Sequence, residues 1–103
     1  MTQLEDCFGR IVRLTDERME HILEHPEMLG LSLSIAAALS DPALVRRSCS
    51  DNALSLFYRF LEETAVGGKF LCVVVKYTEG DAFVVTAYLT NKPKAGEHQW
   101  PTK

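Results

Sequence analysis

The sequence predicts an α+β fold in which two N-terminal helices pack on one face of a four- to five-stranded, mostly antiparallel sheet. Its second half contains three strand-forming runs in succession, separated only by short turn-forming segments. Its first half contains two segments with apolar residues at helical spacing. Helices that cover one face of an antiparallel sheet form an α+β domain. At 103 residues the chain is expected to be one domain, with its core in residues 9–90 and an irregular tail at 91–103.

The first predicted elements are a short strand and two helices. Residues 9–14 are predicted to form a short strand, because Ile11 and Arg13 alternate with Val12 and Leu14. Thr15 is a favourable N-cap, and apolar residues follow at helical spacing, so residues 15–25 are predicted to form an amphipathic helix. Pro26 disfavours helical geometry in the residue before it. We therefore expect the helix to break there and a second helix to occupy residues 26–40.

The sheet is expected to come mainly from the second half of the chain. Residues 44–49 are predicted to be extended. Stronger strands are predicted at residues 53–61, 69–77 and 82–90, with turns at Gly67-Gly68 and Glu79-Gly80-Asp81. The middle strand is apolar on both faces, whereas each neighbour carries polar groups on one face. We therefore expect one buried side of the sheet and one uncovered side that presents polar, functional groups.

Composition and motifs disfavour several classes of protein. Apolar residues make up 47% of the chain and charged residues 24%, which is ordinary for a globular protein. No apolar run approaches the roughly 20 residues needed to cross a bilayer, and no secretion signal is evident, so we expect a cytoplasmic protein with no membrane partner. Cys7, Cys49 and Cys72 form no CxxC pair, which disfavours a structural disulfide or a zinc site, and no cofactor is predicted.

The charge distribution disfavours tight nonspecific binding to nucleic acid. The net charge is −3, and residues 1–41 carry eight acidic and three basic side chains, whereas residues 42–103 carry six acidic and eight basic ones. Proteins that bind nucleic acid nonspecifically usually present a strong basic field. This balance still allows a small site that binds a few phosphates.

Two histidines form the first candidate site. His21 and His25 are four residues apart in the string HILEHPEM, so within one helix both imidazoles would lie on the same face. They are either solvated surface side chains or a proton-transfer pair, because histidine titrates near neutral pH. Metal binding is less favoured, since the pattern supplies only two ligands.

The second candidate site is on the predicted sheet. Arg59 shares a strand face with Ser55, and Thr86, Tyr88 and Thr90 share one face of the last strand. A guanidinium can hold a phosphate through two hydrogen bonds, although an arginine in a strand also commonly lies at a sheet surface. We therefore take Arg59, Thr86 and Tyr88 as candidate phosphate-binding or catalytic residues.

Three further cations are open alternatives for this site. Lys76 lies on the same face as Thr86 if the Glu79-Gly80-Asp81 turn is a three-residue loop, and on the other face if the loop has two residues. Arg46 and Arg47 are adjacent in a predicted strand and therefore point to opposite faces, so one of them could reach the site.

The chain resembles small bacterial and phage-linked domains of the nuclease superfamily of barnase, EndoU, colicin and RelE toxins, the BECR superfamily. The resemblance covers residues 10–100 and is carried by the strings RLTDERMEHILEHPEM, ALSDPALVRRS, FYRF, GKFLCVVVK and GDAFVVTAYLTNKPKAGE. It implies one or two helices before a curved antiparallel sheet, with the substrate on the exposed sheet face. It further implies a toxin-like endoribonuclease that cleaves RNA without a metal, through attack of a 2′-hydroxyl on the neighbouring phosphate.

The resemblance also implies roles and partners. His21 or His25 would act as acid or base, and Arg59 would hold the phosphate. Thr86 would position the phosphate, and Tyr88 would stack on a base or donate a proton. RNA and an antitoxin-like protein would be the partners. Two alternatives stay open: a noncatalytic relative that binds a protein or small ligand on the same sheet face, and a domain that forms homo-oligomers through a sheet edge.

Overall fold

The fold is built from two α-helices and seven β-strands within residues 1–102, the part of the chain that this computed structural model describes. A short 3₁₀ turn, Pro26–Met28, lies between the two helices. The elements are β1 (Thr2–Glu5), β2 (Ile11–Leu14), α1 (Asp16–Leu23), α2 (Ser32–Ser40), β3 (Leu44–Ser48), β4 (Leu54–Leu61), β5 (Lys69–Thr78), β6 (Asp81–Thr90) and β7 (Gly96–Trp100). Within these residues no helix is long and apolar enough to cross a membrane.

All seven strands belong to one sheet, in the order β1-β2-β6-β5-β4-β3-β7. β2 and β6 run parallel, and the other neighbouring strands run antiparallel. The α+β class is therefore correct, but the prediction of four to five strands was wrong. The strands that were not predicted, β1 and β7, lie at the two edges of the sheet. β7 also occupies part of the tail that was expected to be irregular. Its polar sequence GEHQW is compatible with an edge strand, because such a strand needs backbone pairing on one side and no continuous apolar face.

The core lies on one face of the sheet, which we call the inner face. Its strand residues include Phe57 in β4, Val73 in β5 and Ala87 in β6, which lie opposite one another in neighbouring strands. Ile22 of α1 and Ile35 of α2 pack against this face and are almost completely excluded from solvent. The opposite face, which we call the outer face, includes the alternate residues of the same strands.

The sheet curls around the helices far enough to bring its two edges together. Phe8 belongs to the connection between β1 and β2 at one edge, and Trp100 belongs to β7 at the other. Their rings meet edge to face, with ring centres 5.8 Å apart, and Phe8 also meets Phe57 at 6.2 Å. The β1–β2 connection therefore closes over the part of the inner face that the helices leave open.

The structure reverses the expected orientation of β4. The side of β4 that carries Ser55 and Arg59 was expected to be the uncovered side. Phe57 lies between them on that same side and is fully buried against the helices, so this side is the inner face. Tyr58 lies on the outer face and is also fully buried.

The helices follow the local signals of the sequence, with shorter limits. The Thr15 hydroxyl accepts the backbone N–H three residues along at 3.2 Å, as expected of an N-cap. α1 ends at Leu23, and His25 is already extended with φ −83° and ψ 116°, the conformation that Pro26 favours. The second helix is shorter than predicted because Gly30, at φ +83°, separates the 3₁₀ turn from α2.

The hairpin of β5 and β6 determines the face that Lys76 occupies. Its turn has two residues, Glu79-Gly80, but the register then shifts at a bulge between Val74 and Val75. Val74 consequently lies opposite Thr86, and Lys76 shares the outer face with Thr86. A three-residue loop was expected to give this placement. In the structure the turn has two residues, and the bulge gives the same placement.

A segment that we call the strap, residues 91–95, crosses the outer face from β6 to the far edge strand β7. The Tyr58 hydroxyl accepts the backbone N–H of Lys94 at 3.0 Å, and Arg46 Nη1 donates to the Lys94 carbonyl at 2.7 Å. The Cys49 thiol donates to the Ala95 carbonyl at 3.5 Å. The outer face is therefore partly covered by the chain itself.

Candidate functional site

The structure brings some of the predicted site residues together but does not gather all of them in one place. Arg59 lies on the inner face, where its Nη1 donates to the Asp41 carbonyl at 2.6 Å and to the Asp41 carboxylate at 3.2 Å. Asp41 is the C-cap of α2, a position at which a cation complements the helix dipole. Thr86 and Tyr88 lie on the outer face. The expected grouping of the arginine with these hydroxyls is therefore not formed, because the sheet separates them.

The two histidines do not share a helical face. His21 lies on α1, and its Nδ1 is 3.7 Å from Glu24 Oε2. His25 lies beyond the end of α1, and its Nδ1 is 3.8 Å from Glu27 Oε1. Both rings are largely exposed, at 60% and 70% of their side-chain surface. Each imidazole therefore has its own acidic neighbour.

Thr86 and Tyr88 line a cavity of about 450 Å³ on the outer face, which we call the outer cavity. Its floor consists of apolar side chains from three neighbouring strands, Leu54, Leu56, Val74 and Val85. The register places Leu56 opposite Val74 and Val74 opposite Thr86. The floor is therefore one continuous apolar surface, bounded on one side by the strap.

The rim of the outer cavity is polar. Lys94 of the strap places its ammonium 5.6 Å from the centre of the Tyr88 ring, a cation–π contact. On the β3 side the hydroxyls of Ser48 and Ser50 are 3.1 Å apart, and Cys49 lies between them in the chain. Among the side chains that line this cavity, Lys94 supplies the formal charge.

Two tyrosines and a buried thiol at or beside the outer cavity have raised pKa values, so these three groups stay uncharged at neutral pH. Burial raises the pKa of Tyr58 to about 12. Burial, reinforced by the neighbouring Cys72, raises the pKa of Tyr88 above its ordinary value. Burial also raises the pKa of the Cys72 thiol, which makes it a poor nucleophile. Tyr88 therefore acts as a neutral hydrogen-bond donor beside a cationic lysine.

His25 and Tyr88 line a second cavity of about 400 Å³ at the end of β6, which we call the His25 cleft. Glu27 and Lys69 also line this cleft, together with Asn91. The Lys69 ammonium donates to the Asn91 side-chain oxygen. The cleft therefore contains an imidazole, a carboxylate and an ammonium group, and Tyr88 lines both this cleft and the outer cavity.

Several residues of these sites were not predicted from the sequence. Lys94 was assigned to an irregular tail, and nothing local indicates that the strap returns across the sheet. Lys69 and Glu27 carry ordinary surface residue types. The one local signal is that Lys69 opens the most apolar strand, where a charged residue is placed next to a buried surface.

Within residues 1–102, no three His, Cys, Asp or Glu side chains are arranged to hold a metal ion. Comparison of the chain with known protein families, with curated proteins and with solved structures found no match. Its function therefore has to be inferred from its own side chains and cavities.

Proposed function

We propose that the protein is a noncatalytic binding module that holds a small amphipathic anion in the outer cavity. The observation that carries this proposal is an apolar floor next to one cationic side chain, that of Lys94. Small-molecule sites typically combine a mostly apolar lining with a few polar groups that fix the orientation of the ligand. The volume of about 450 Å³ lies within the usual range of such sites, roughly 300–1,000 Å³.

The floor favours a ligand with a hydrophobic body. Leu56 and Val74 are each 7% exposed in the free protein, and Leu54 and Val85 are half-buried beside them. A ligand on this surface removes further apolar area from water, which stabilises a complex by about 25 cal/mol per Å². The affinity is therefore expected to depend on the size of the apolar part of the ligand.

The rim favours an anionic group at one end of the ligand. The Lys94 ammonium lies over the Tyr88 ring, and both groups belong to the lining of the cavity. A carboxylate or sulfonate at the mouth would receive a charge-assisted hydrogen bond from Lys94. Thr86 and Tyr88 add neutral hydroxyl donors.

The proposal predicts saturable binding of the fluorescent probe anilinonaphthalene sulfonate, which joins an aromatic body to a sulfonate. Thr86 is exposed, so Thr86→Trp fills the cavity without disturbing the core and is expected to weaken binding at least about tenfold, or about 1.4 kcal/mol. Lys94→Met is expected to weaken binding about two- to fivefold, because a solvent-exposed ion pair contributes up to about 1 kcal/mol. Fluorescence titration measures both effects.

Thr78→Trp and Lys92→Met are matched controls that should bind the probe as the unaltered protein does. Thr78 also lies on the outer face, but at the end of β5, and Lys92 lies in the strap next to Pro93. Neither residue is part of the outer cavity lining. Equal weakening by Thr86→Trp and Thr78→Trp would show that the probe binds elsewhere and would contradict the proposal.

A metal-independent ribonuclease is a second candidate, favoured by the composition of the His25 cleft. Attack by a 2′-hydroxyl needs a base, an acid and a cation near the phosphate, and His25, Glu27 and Lys69 are groups of these types in one cleft. Such an enzyme would cleave single-stranded RNA in the presence of a chelator, lose this activity in His25→Gln, and keep it in the control His21→Gln. Absence of cleavage, or equal cleavage by both variants, removes this candidate and leaves the binding module.

A further inference from the structure

A third cavity lies where the two edges of the curled sheet approach each other, and we call it the edge cavity. Its volume is about 250 Å³. The β1–β2 connection bounds it on one side, and β4, β3 and the edge strand β7 bound it on the other. Its polar lining residues are Arg10, Arg47, Asn52, Ser55 and Gln99. Each of these side chains can donate hydrogen bonds, and the described lining includes no carboxylate.

One side of the edge cavity holds a fixed guanidinium. Ser55 is 5% exposed, and its hydroxyl lies 2.9 Å from the Gln99 amide. In the orientation that satisfies both neighbours, the Gln99 nitrogen donates to Ser55 and its oxygen accepts from Arg47 Nη2 at 3.0 Å and Nε at 3.2 Å. Arg47 Nη1 has only a 3.7 Å contact with the exposed Glu97 carboxylate, which is too long for a hydrogen bond. Nη1 is therefore available to a ligand.

The other side holds a second guanidinium. Asp6 is 4% exposed, and its carboxylate accepts hydrogen bonds from the backbone N–H groups of Phe8 and Arg10, both at 2.9 Å, and from the Tyr77 hydroxyl. This arrangement fixes the β1–β2 connection. The Arg10 guanidinium then lies over the Tyr77 ring, 4.9 Å from its centre. Within residues 1–102 no carboxylate forms an ion pair with Arg10.

We propose that the edge cavity binds a small aromatic phosphate monoester, with the phosphate between Arg10 and Arg47. A guanidinium is well shaped for phosphate oxygens, and two of them offset the charge of the phosphate dianion. The buried Ser55 hydroxyl adds a neutral donor at the base of the cavity. Phe8 and Tyr77 also line the cavity and offer aromatic surface to the ring of the ester. This site is separate from the outer cavity and does not depend on its function.

Isothermal titration calorimetry of the full chain with phenyl phosphate tests this proposal. The unaltered protein is expected to give a heat of binding that saturates as the ligand is added. Arg10→Met and Arg47→Met are each expected to weaken binding about tenfold or more, because each removes a charged hydrogen-bond donor. Arg18→Met removes the same charge from an exposed position on α1 and should leave the affinity unchanged.

Two comparison ligands and a folding control separate the outcomes. Inorganic phosphate should bind more weakly than phenyl phosphate because it lacks the ring, and benzoate should bind more weakly because it carries one negative charge. A single cooperative denaturant transition, followed by the fluorescence of Trp100, would show that the Arg47→Met variant is folded. The proposal is overturned if the unaltered protein gives no saturable heat, if Arg47→Met binds as tightly as Arg18→Met, or if benzoate binds as tightly as phenyl phosphate.

Discussion

Phe57→Ala is expected to lower the free energy of unfolding by about 3–5 kcal/mol, the usual cost of removing a fully buried aromatic ring. Phe57 is 0% exposed at the centre of the inner face, where its ring meets that of Phe8. Denaturant unfolding followed by the fluorescence of Trp100, the one tryptophan of the chain, measures the loss. Phe57→Leu keeps most of the volume of the buried side chain and should lower the free energy of unfolding by less than Phe57→Ala does. It therefore provides a test if the alanine variant does not fold.

Phe60→Ala is the matched control because it removes the same side chain from the same strand. Phe60 lies on the outer face and is 49% exposed, so its removal should cost about 1 kcal/mol or less. A larger loss from Phe60→Ala than from Phe57→Ala would show that the outer face, and not the inner one, holds the main core. The pair of variants therefore measures the orientation of β4 directly.

Local signals in the sequence predicted most elements because the causes of those elements are local. Thr15 caps α1 through an atom three residues away, and Pro26 changes the conformation of its immediate neighbour. The three long strands begin and end within one residue of their predicted limits. The alternation of Thr86, Tyr88 and Thr90 on one face also follows from strand geometry alone.

The orientation of β4 could not be predicted from polarity because both of its sides are buried. Ser55 and Arg59 make one side look polar, yet Phe57 between them is central to the core. The other side looks more apolar, and Tyr58 is buried there by the strap. With two buried sides, the pattern of polar residues no longer indicates which side faces the helices.

The cavities could not be predicted because long-range contacts assemble them. The hydrogen bond between Lys94 and Tyr58 joins residues 36 positions apart, and that between Tyr77 and Asp6 joins residues 71 positions apart. Arg59 was assigned to a site from its residue type and its strand face, and its actual contact with Asp41 depends on where α2 ends. Residue type at a strand position thus indicated chemistry without indicating location.

Gly96→Ala is expected to detach β7 from β3 and to lower the free energy of unfolding by about 2–3 kcal/mol. A Cβ at Gly96 would lie 2.4 Å from the Arg47 carbonyl oxygen and 3.3 Å from Arg46 Cβ. Backbone atoms of a paired strand cannot move aside independently, so β7 itself must shift. Trp100 at the end of β7 is partly buried against the core and against Phe8, so its fluorescence emission should shift towards longer wavelength when β7 moves.

Gly68→Ala is the control for this variant, since the Cβ there would meet the end of the exposed Phe60 ring at 3.2 Å, and that ring can rotate away. Gly68→Ala should lower the free energy of unfolding much less than Gly96→Ala does, and it should leave the Trp100 emission unchanged.

Displacement of β7 moves the strap, which bounds the outer cavity, and Gln99, which holds Arg47 in the edge cavity. Gly96→Ala should therefore weaken the binding of both anilinonaphthalene sulfonate and phenyl phosphate. Thr86→Trp should weaken the binding of anilinonaphthalene sulfonate alone, and Arg10→Met the binding of phenyl phosphate alone. If the Gly96→Ala protein shows a shifted Trp100 emission but binds both ligands as tightly as the unaltered protein, then β7 and the strap do not contribute to the two cavities.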